Sequence, residues 1–234
     1  MKLVLKKRPK GVTIVEGFPG FGLVGTIALE FLLEQLDTVK IGTVEMNEVP
    51  AMVAIHNSKV IEPISIHYNK RHNLVFVHAI NAGRDMGWAL ADLVLDLASK
   101  LEAKQVISLE GVGSSKPGKS RVFYYYTGKK QLKNVIEIAQ PLKEGVIVGV
   151  TGALLSKYTK LPILALFAEA QSQMPDSKGA AQIIRAFDMF TGLDIDPKPL
   201  EKQAQQFEEK LRTIKRQQDQ TQKAVQKRDL SYVG

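Results

Sequence analysis

The chain lacks cysteine altogether and carries a single tryptophan, Trp88, among its 234 residues. Without cysteine there can be no disulfide, thiolate metal centre or cysteine nucleophile, and a reducing compartment, the cytoplasm, is the natural expectation. No apolar run approaches the roughly 20 residues that span a bilayer. The basic start, Met1 to Lys10, runs directly into strand-like sequence, with neither the apolar core nor the small-residue cleavage site of a secretion signal. A membrane partner is therefore not expected. The four histidines, His56, His67, His72 and His78, fall on β-rich runs or a turn. No spacing places two of them on one helical face, so no metal is expected. Glycine and proline are missing between Pro199 and Gly234, which removes the usual punctuation of loops from that stretch.

What is present is enough for a substantial core, with 44% hydrophobic residues. The net charge of +8 invites a nucleic-acid reading until it is followed along the chain. Met1 to Lys10 holds five basic residues and no acid; Lys198 to Arg228 holds nine basic and four acidic residues. Between these ends the body of the chain carries about −2. A phosphate-binding face would have to be built from the extremities alone, and solvated ends are the preferred account, with no nucleic-acid partner.

Val12 to Glu16 is a short β-branched run, followed by a glycine-rich turn and by helical spacing over Leu23 to Leu36. Ile41 to Met46, Ala51 to His56, Val60 to Tyr68 and Leu74 to Ala79 read as β-runs joined by turns, which predicts antiparallel hairpins. Asp85 to Leu101 is helical. Gln105 to Leu109 is a strand, Gly145 to Val150 an apolar run leading into a short helix over Ala153 to Tyr158, and Ile163 to Ala168 a buried strand. Met174-Pro175-Asp176 opens a helix to about Phe190, with the aspartate in its first turn. Alternation of this kind predicts an α/β fold in three layers, a largely parallel or mixed sheet with helices on both faces. The expected organisation is a domain over 1–197, then a C-terminal helix and flexible tail over 198–234. In that helix Leu200, Ala204, Phe207, Leu211 and Ile214 fall at alternating four- and three-residue steps, the seam of a coiled coil and a candidate oligomer interface.

One motif carries a cofactor reading. Gly20-Phe21-Gly22-Leu23-Val24-Gly25 follows a strand and opens a helix, and Glu45 lies where a ribose-binding acid would stand, so Gly20, Gly22, Gly25 and Glu45 form a candidate dinucleotide site. Against it, Glu45 is followed by Asn47-Glu48-Val49-Pro50 and further β-runs instead of a crossover helix. Pro19 and two aromatics also crowd the turn where a pyrophosphate needs open backbone. Cofactor binding is therefore the alternative, and the expectation is none.

Gly17-Phe18-Pro19-Gly20-Phe21-Gly22-Leu23-Val24-Gly25, with Glu110-Gly111-Val112-Gly113 after a central strand and Met174-Pro175-Asp176 before a helix, resembles the archaeal and bacterial proteasome assembly chaperone family over about Val12 to Leu200. The resemblance implies an α/β domain distantly like nucleoside phosphorylases and peptidyl hydrolases, no established catalysis, and homo-oligomers. It also implies, from eukaryotic and some archaeal members, a tail ending hydrophobic-Tyr-any that docks on the proteasome α-ring. Here Leu230, Tyr232 and Val233 are the candidate tail residues, but Tyr232 is third from the end and Ser231 stands at the hydrophobic position, a one-residue shift. The expected partner is the chain itself, with a family paralogue or proteasome α subunits as further candidates.

Smaller constellations remain. Ser114 and Ser115 follow a glycine turn without a nucleophile elbow. His78, Arg84 and Asp85 cluster after a strand, where loop capping is preferred over a relic pocket. Phe123 to Tyr126, flanked by Arg121 and Lys129, read as a sheet strand or subunit contact before a base-stacking platform, because alternate side chains must face inward.

Overall fold

The computed structural model describes residues 1–46, 54–56, 59–79, 86–113, 121–128, 138–157, 159–170 and 174–202. Its strands are β1 (Lys2–Leu5), β2 (Thr13–Glu16), β3 (Val39–Glu45), β4 (Ala54–His56), β5 (Lys59–Ile61), β6 (Ile64–Asn69), β7 (Leu74–Ala79), β8 (Gln105–Gly113), β9 (Val122–Tyr126), β10 (Gln140–Pro141) and β11 (Ile163–Ala170). Its helices are α1 (Val24–Gln35), α2 (Gly87–Lys100), α3 (Gly149–Ser156) and α4 (Ser177–Thr191).

One mixed sheet runs β1-β3-β6-β7-β2-β8-β11-β9-β10, and β4 and β5 pair apart from it. The four middle strands, β7, β2, β8 and β11, are mutually parallel. Antiparallel partners flank them, β6 beside β7 and β9 beside β11. The middle strands read as continuous apolar runs because both their faces are covered. In β2, Ile14 faces one core and Val15 the other; in β8, Val106 and Ile107 divide the same way. The core containing Val15 and Ile107 is closed by α1 and α4 through Leu29, Leu32, Ile184 and Phe187. The core containing Ile14 and Val106 is closed by α2 and α3 through Leu90, Val94, Leu97 and Leu154. Each such fully buried side chain contributes roughly 1.5–3 kcal/mol, which makes the two cores the main source of stability. The expected three-layer arrangement is present. Among the described residues no helix is long and apolar enough to cross a membrane.

Four readings change. Residues 145–148 are not a buried run: Val146 is 90% exposed and Val148 77%, and the helix behind them begins already at Gly149. The basic N-terminal segment is not merely solvated, since Lys2–Leu5 adds an antiparallel edge strand to β3. The Val60 to Tyr68 run is two strands, parted around Pro63, whose ring removes a ladder donor. The helix opened by Met174-Pro175-Asp176 is α4, with Asp176 at its N-cap and not in the first turn; Asp176 accepts from the Gly179 N–H at 2.8 Å. Of the chain beyond Thr191, 198–202 is helical. Leu200 there is 2% exposed, within the core beneath α4, and Glu201 pairs with Arg185 at 2.6 Å. Ala204, Phe207, Leu211, Ile214, Leu230, Tyr232 and Val233 lie outside the described residues.

Candidate functional site

Three segments far apart in sequence meet at one corner, at the carboxyl ends of the middle strands. The turn after β2 enters α1 through a short 3₁₀ turn, Phe21–Leu23, in which Gly22 holds φ +63°, a conformation open to glycine. A Cβ on Gly22 would stand 2.9 Å from the Ala170 Cβ at the end of β11. The Gly22 carbonyl accepts from the Asp176 N–H at 2.9 Å, tying the turn to the start of α4. A Cβ on Gly25 would lie 2.1 Å from the Leu109 carbonyl oxygen, and one on Gly111 2.0 Å from the Phe21 carbonyl oxygen. Helix α1 can therefore lie directly on β8 only because both positions lack side chains. Gly17 to Gly25, Glu110 to Gly113 and Met174 to Asp176 are thus one packed structure.

Beside this corner stand two carboxyl groups. Glu16 ends β2, is 1% exposed, and accepts from the Phe18 N–H at 3.3 Å through Oε2; its Oε1 is buried without a hydrogen-bond partner. Glu110, on the neighbouring strand β8, accepts from Thr151 Oγ1 at 3.1 Å and from the Gly111 N–H at 3.2 Å. Ser108 Oγ and Thr151 Oγ1 lie 2.7 Å apart and link the two acids. Burial pushes Glu16 up to about 7, with partial relief from the Ser108 hydroxyl and the Phe18 N–H. Burial, and then the charge of Glu16, push Glu110 up to about 8 against the Thr151 and Gly111 donors. No cation among the described residues pairs with either acid.

Glu110 faces a cleft of about 1070 Å³. Phe18, Gly20 and Phe21 form one wall, Phe123 another, and the exposed 142–148 segment a third. On its rim Glu169 receives Arg121 in a two-point contact, Nε at 2.9 Å and Nη2 at 2.5 Å, while the Arg121 guanidinium lies 5.3 Å from the centre of the Phe123 ring.

Of the candidate dinucleotide residues, the three glycines share one corner and Glu45 stands apart from them. Gly20, Gly22 and Gly25 belong to the packed corner, and a Cβ on Gly20 would meet Glu110 Oε1 at 2.1 Å, so an acid lies where a pyrophosphate would need space and positive potential. Glu45 is three strands away across β6 and β7, about 14 Å at ordinary strand spacing, and pairs with Lys2 at 3.1 Å on the sheet edge. His78 pairs with Glu30 at 3.2 Å; Arg84, Asp85, Ser114 and Ser115 lie outside the described residues. His67 bonds Ser65 at 2.9 Å, and burial followed by the charge of His78 pulls it down to about 4. Phe123 to Tyr126 form β9, paired antiparallel to β11, with Tyr125 exposed and Tyr124 and Tyr126 packed on the core.

Sequence reasoning passed over Glu16, Ser108 and Thr151, and noted Glu110 only within a motif. One signal was available: a strand buried on both faces has no ordinary use for a carboxylate, yet Glu16 and Glu110 each close such a run.

The family model described as PAC2 family matches residues 14–215. An uncharacterized protein of Methanocaldococcus jannaschii is 27% identical over 210 residues, which cover 87% of this chain and 85% of the relative. Pyrococcus furiosus PbaA, an archaeal homolog of proteasome-assembly chaperone, is 28% identical with a TM-score of 0.82, over 97% of this chain and 96% of that one. Pyrococcus furiosus PbaB, an archaeal proteasome activator, shares the fold with a TM-score of 0.75 at 24% identity, over 92% of this chain and 98% of that one.

Proposed function

The chain belongs to the PAC2 family, and from that premise we propose that it is a non-enzymatic assembly chaperone or scaffold of the cytoplasm, acting on proteasome-related partners as a homo-oligomer. The observation that carries this reading is the end-to-end likeness to PbaA, which spans nearly the whole of both chains. The packed glycine corner supports it from the other side, because the turn that would have bound a dinucleotide is filled by Glu110.

In this reading the globular domain presents the partner surface and the seam Ala204, Phe207, Leu211 and Ile214 joins copies, with Leu200 anchoring the start of the helix to its own domain. Repeated apolar side chains at four- and three-residue steps form a stripe that the same helix of another copy can cover. A family paralogue and the proteasome α subunits are both candidate partners. The test is affinity purification of the full-length chain from its native host at endogenous expression, with quantitative mass spectrometry. Enrichment of proteasome subunits or a second PAC2 protein over a tag-only control is the expected result. Enrichment of neither, together with a thermal upshift on adding nicotinamide cofactors, would transfer support to the enzyme alternative.

A further inference from the structure

We propose that the strand-end cleft is a binding site for a planar organic cation, a guanidinium or amidinium group on an apolar body, with Glu110 as its counter-ion. The inference goes beyond the assembly reading and does not depend on it. It starts from an imbalance. Two carboxyl groups, Glu16 and Glu110, stand on adjacent strands with no cation paired to them among the described residues, and Glu16 Oε1 is fully buried with no donor. Buried charge without a partner is costly, and a fold keeps it where it has a use.

Only Glu110 of the two faces the cleft. Its oxygens each accept one hydrogen bond, from Gly111 and from Thr151, so each retains a further acceptor position. Two oxygens side by side match a forked donor, and a guanidinium or amidinium sheds water more readily than an ammonium does. The surrounding walls suit its apolar body: the rings of Phe18, Phe21 and Phe123 and the side chain of Leu90 line the cleft. The same rim already holds such a contact, for Arg121 grips Glu169 at two points with its guanidinium near the face of Phe123. Glu169 is thereby neutralised, while Lys143 and Glu144 offset one another at the mouth. Glu110 remains as the net charge of the cleft. When the cation binds, Glu110 gives up whatever proton it holds to solvent.

Calorimetric titration of the full-length protein tests this with two probes, benzamidine and a capped Val-Arg-Val tripeptide. Saturable binding of either probe supports the site; the tripeptide alone would mark a protein-borne guanidinium as the natural ligand. Affinity should rise roughly tenfold for each pH unit and level off above about pH 8, because the cation selects ionised Glu110. Glu110→Gln should fold, as judged by circular dichroism, and lose at least tenfold in affinity. Should that variant fail to fold, Thr151→Val carries the test: without its donor, Glu110 ionises at higher pH and the levelling point moves up. Absence of saturable binding by both probes, undiminished binding by folded Glu110→Gln, or an affinity that ignores pH would overturn the proposal.

Discussion

The glycine corner and the acid pair are built on the same strands, β2 and β8, and obey opposite rules. At the corner every space is taken: Gly17, Gly25 and Gly111 press backbone on backbone, and no side chain fits. One residue before Gly17 and one before Gly111, Glu16 and Glu110 bring polar groups into the interior and leave part of their demand unmet. The corner is explained by packing alone, because it lets α1 lie on β8 and lets α4 dock on the turn. Packing does not explain the acids, since an amide or a leucine would fill the same volume at lower cost. Where local rules are obeyed the sequence specifies the fold, and where they are broken without local compensation a function is the better account.

The contrast can be broken most forcefully at the corner. Gly25→Val places a branched side chain against the Leu109 carbonyl oxygen, which cannot rotate away. The loss should reach or exceed about 3 kcal/mol, the upper end of ordinary overpacking. Unchanged chemical denaturation of this variant would show that the corner is not close-packed.

The acid pair should announce itself through pH. Glu16 titrates near 7 in the folded protein and at its ordinary, lower value when unfolded. The folded state therefore binds the extra proton, and its contribution is complete below the unfolded value and disappears as pH rises through about 7. For Glu16 alone that amounts to a loss of about 3 kcal/mol between mildly acid and alkaline solution, and Glu16→Gln should remove that share of the profile while the burial of Glu110 keeps its own. A wild-type midpoint in denaturant that does not fall over this range would contradict the assignment of raised values.

Smaller effects sharpen the same comparison. Asp176→Ala removes the N-cap of α4 but keeps the backbone tie to Gly22, and should cost about 1 kcal/mol by thermal melting. Arg185→Ala breaks a half-exposed pair with Glu201 and should cost about 0.5 kcal/mol. A larger loss there would mean that helix 198–202 relies on this contact for its docking.

Much of this fold was legible because its signals are local. The β-branched run before a glycine turn, the helical spacing of Leu23 to Leu36 and the apolar strand Ile163 to Ala168 each appear where expected. The convergence of the three motifs was not legible as geometry, since nothing in the spacing says that Gly22 and Asp176 will share a hydrogen bond. Composition misled twice. Lysines hid the edge strand at Lys2–Leu5, where such residues guard an exposed edge, and valines made 145–148 look buried when it is an exposed wall of the cleft. The site itself was the hardest to see. Glu16 at the end of β2, Ser108 and Glu110 within β8 and Thr151 in the first turn of α3 are brought together by strand pairing and by the placement of α3, and each alone is an ordinary residue of its element.

The central claim, that this PAC2 protein works through assembly, is tested most directly by light scattering on the full-length chain and on a version ending at Lys202. Ending there keeps Leu200 in its core and Glu201 on Arg185, so the domain stays intact while the seam is removed. The account predicts a discrete oligomer for the full chain and a folded species shifted toward monomer mass for the shorter one. A full-length chain that runs as a monomer would contradict assembly itself, and a shortened chain that keeps the full oligomer mass would move the interface from the seam to the globular faces.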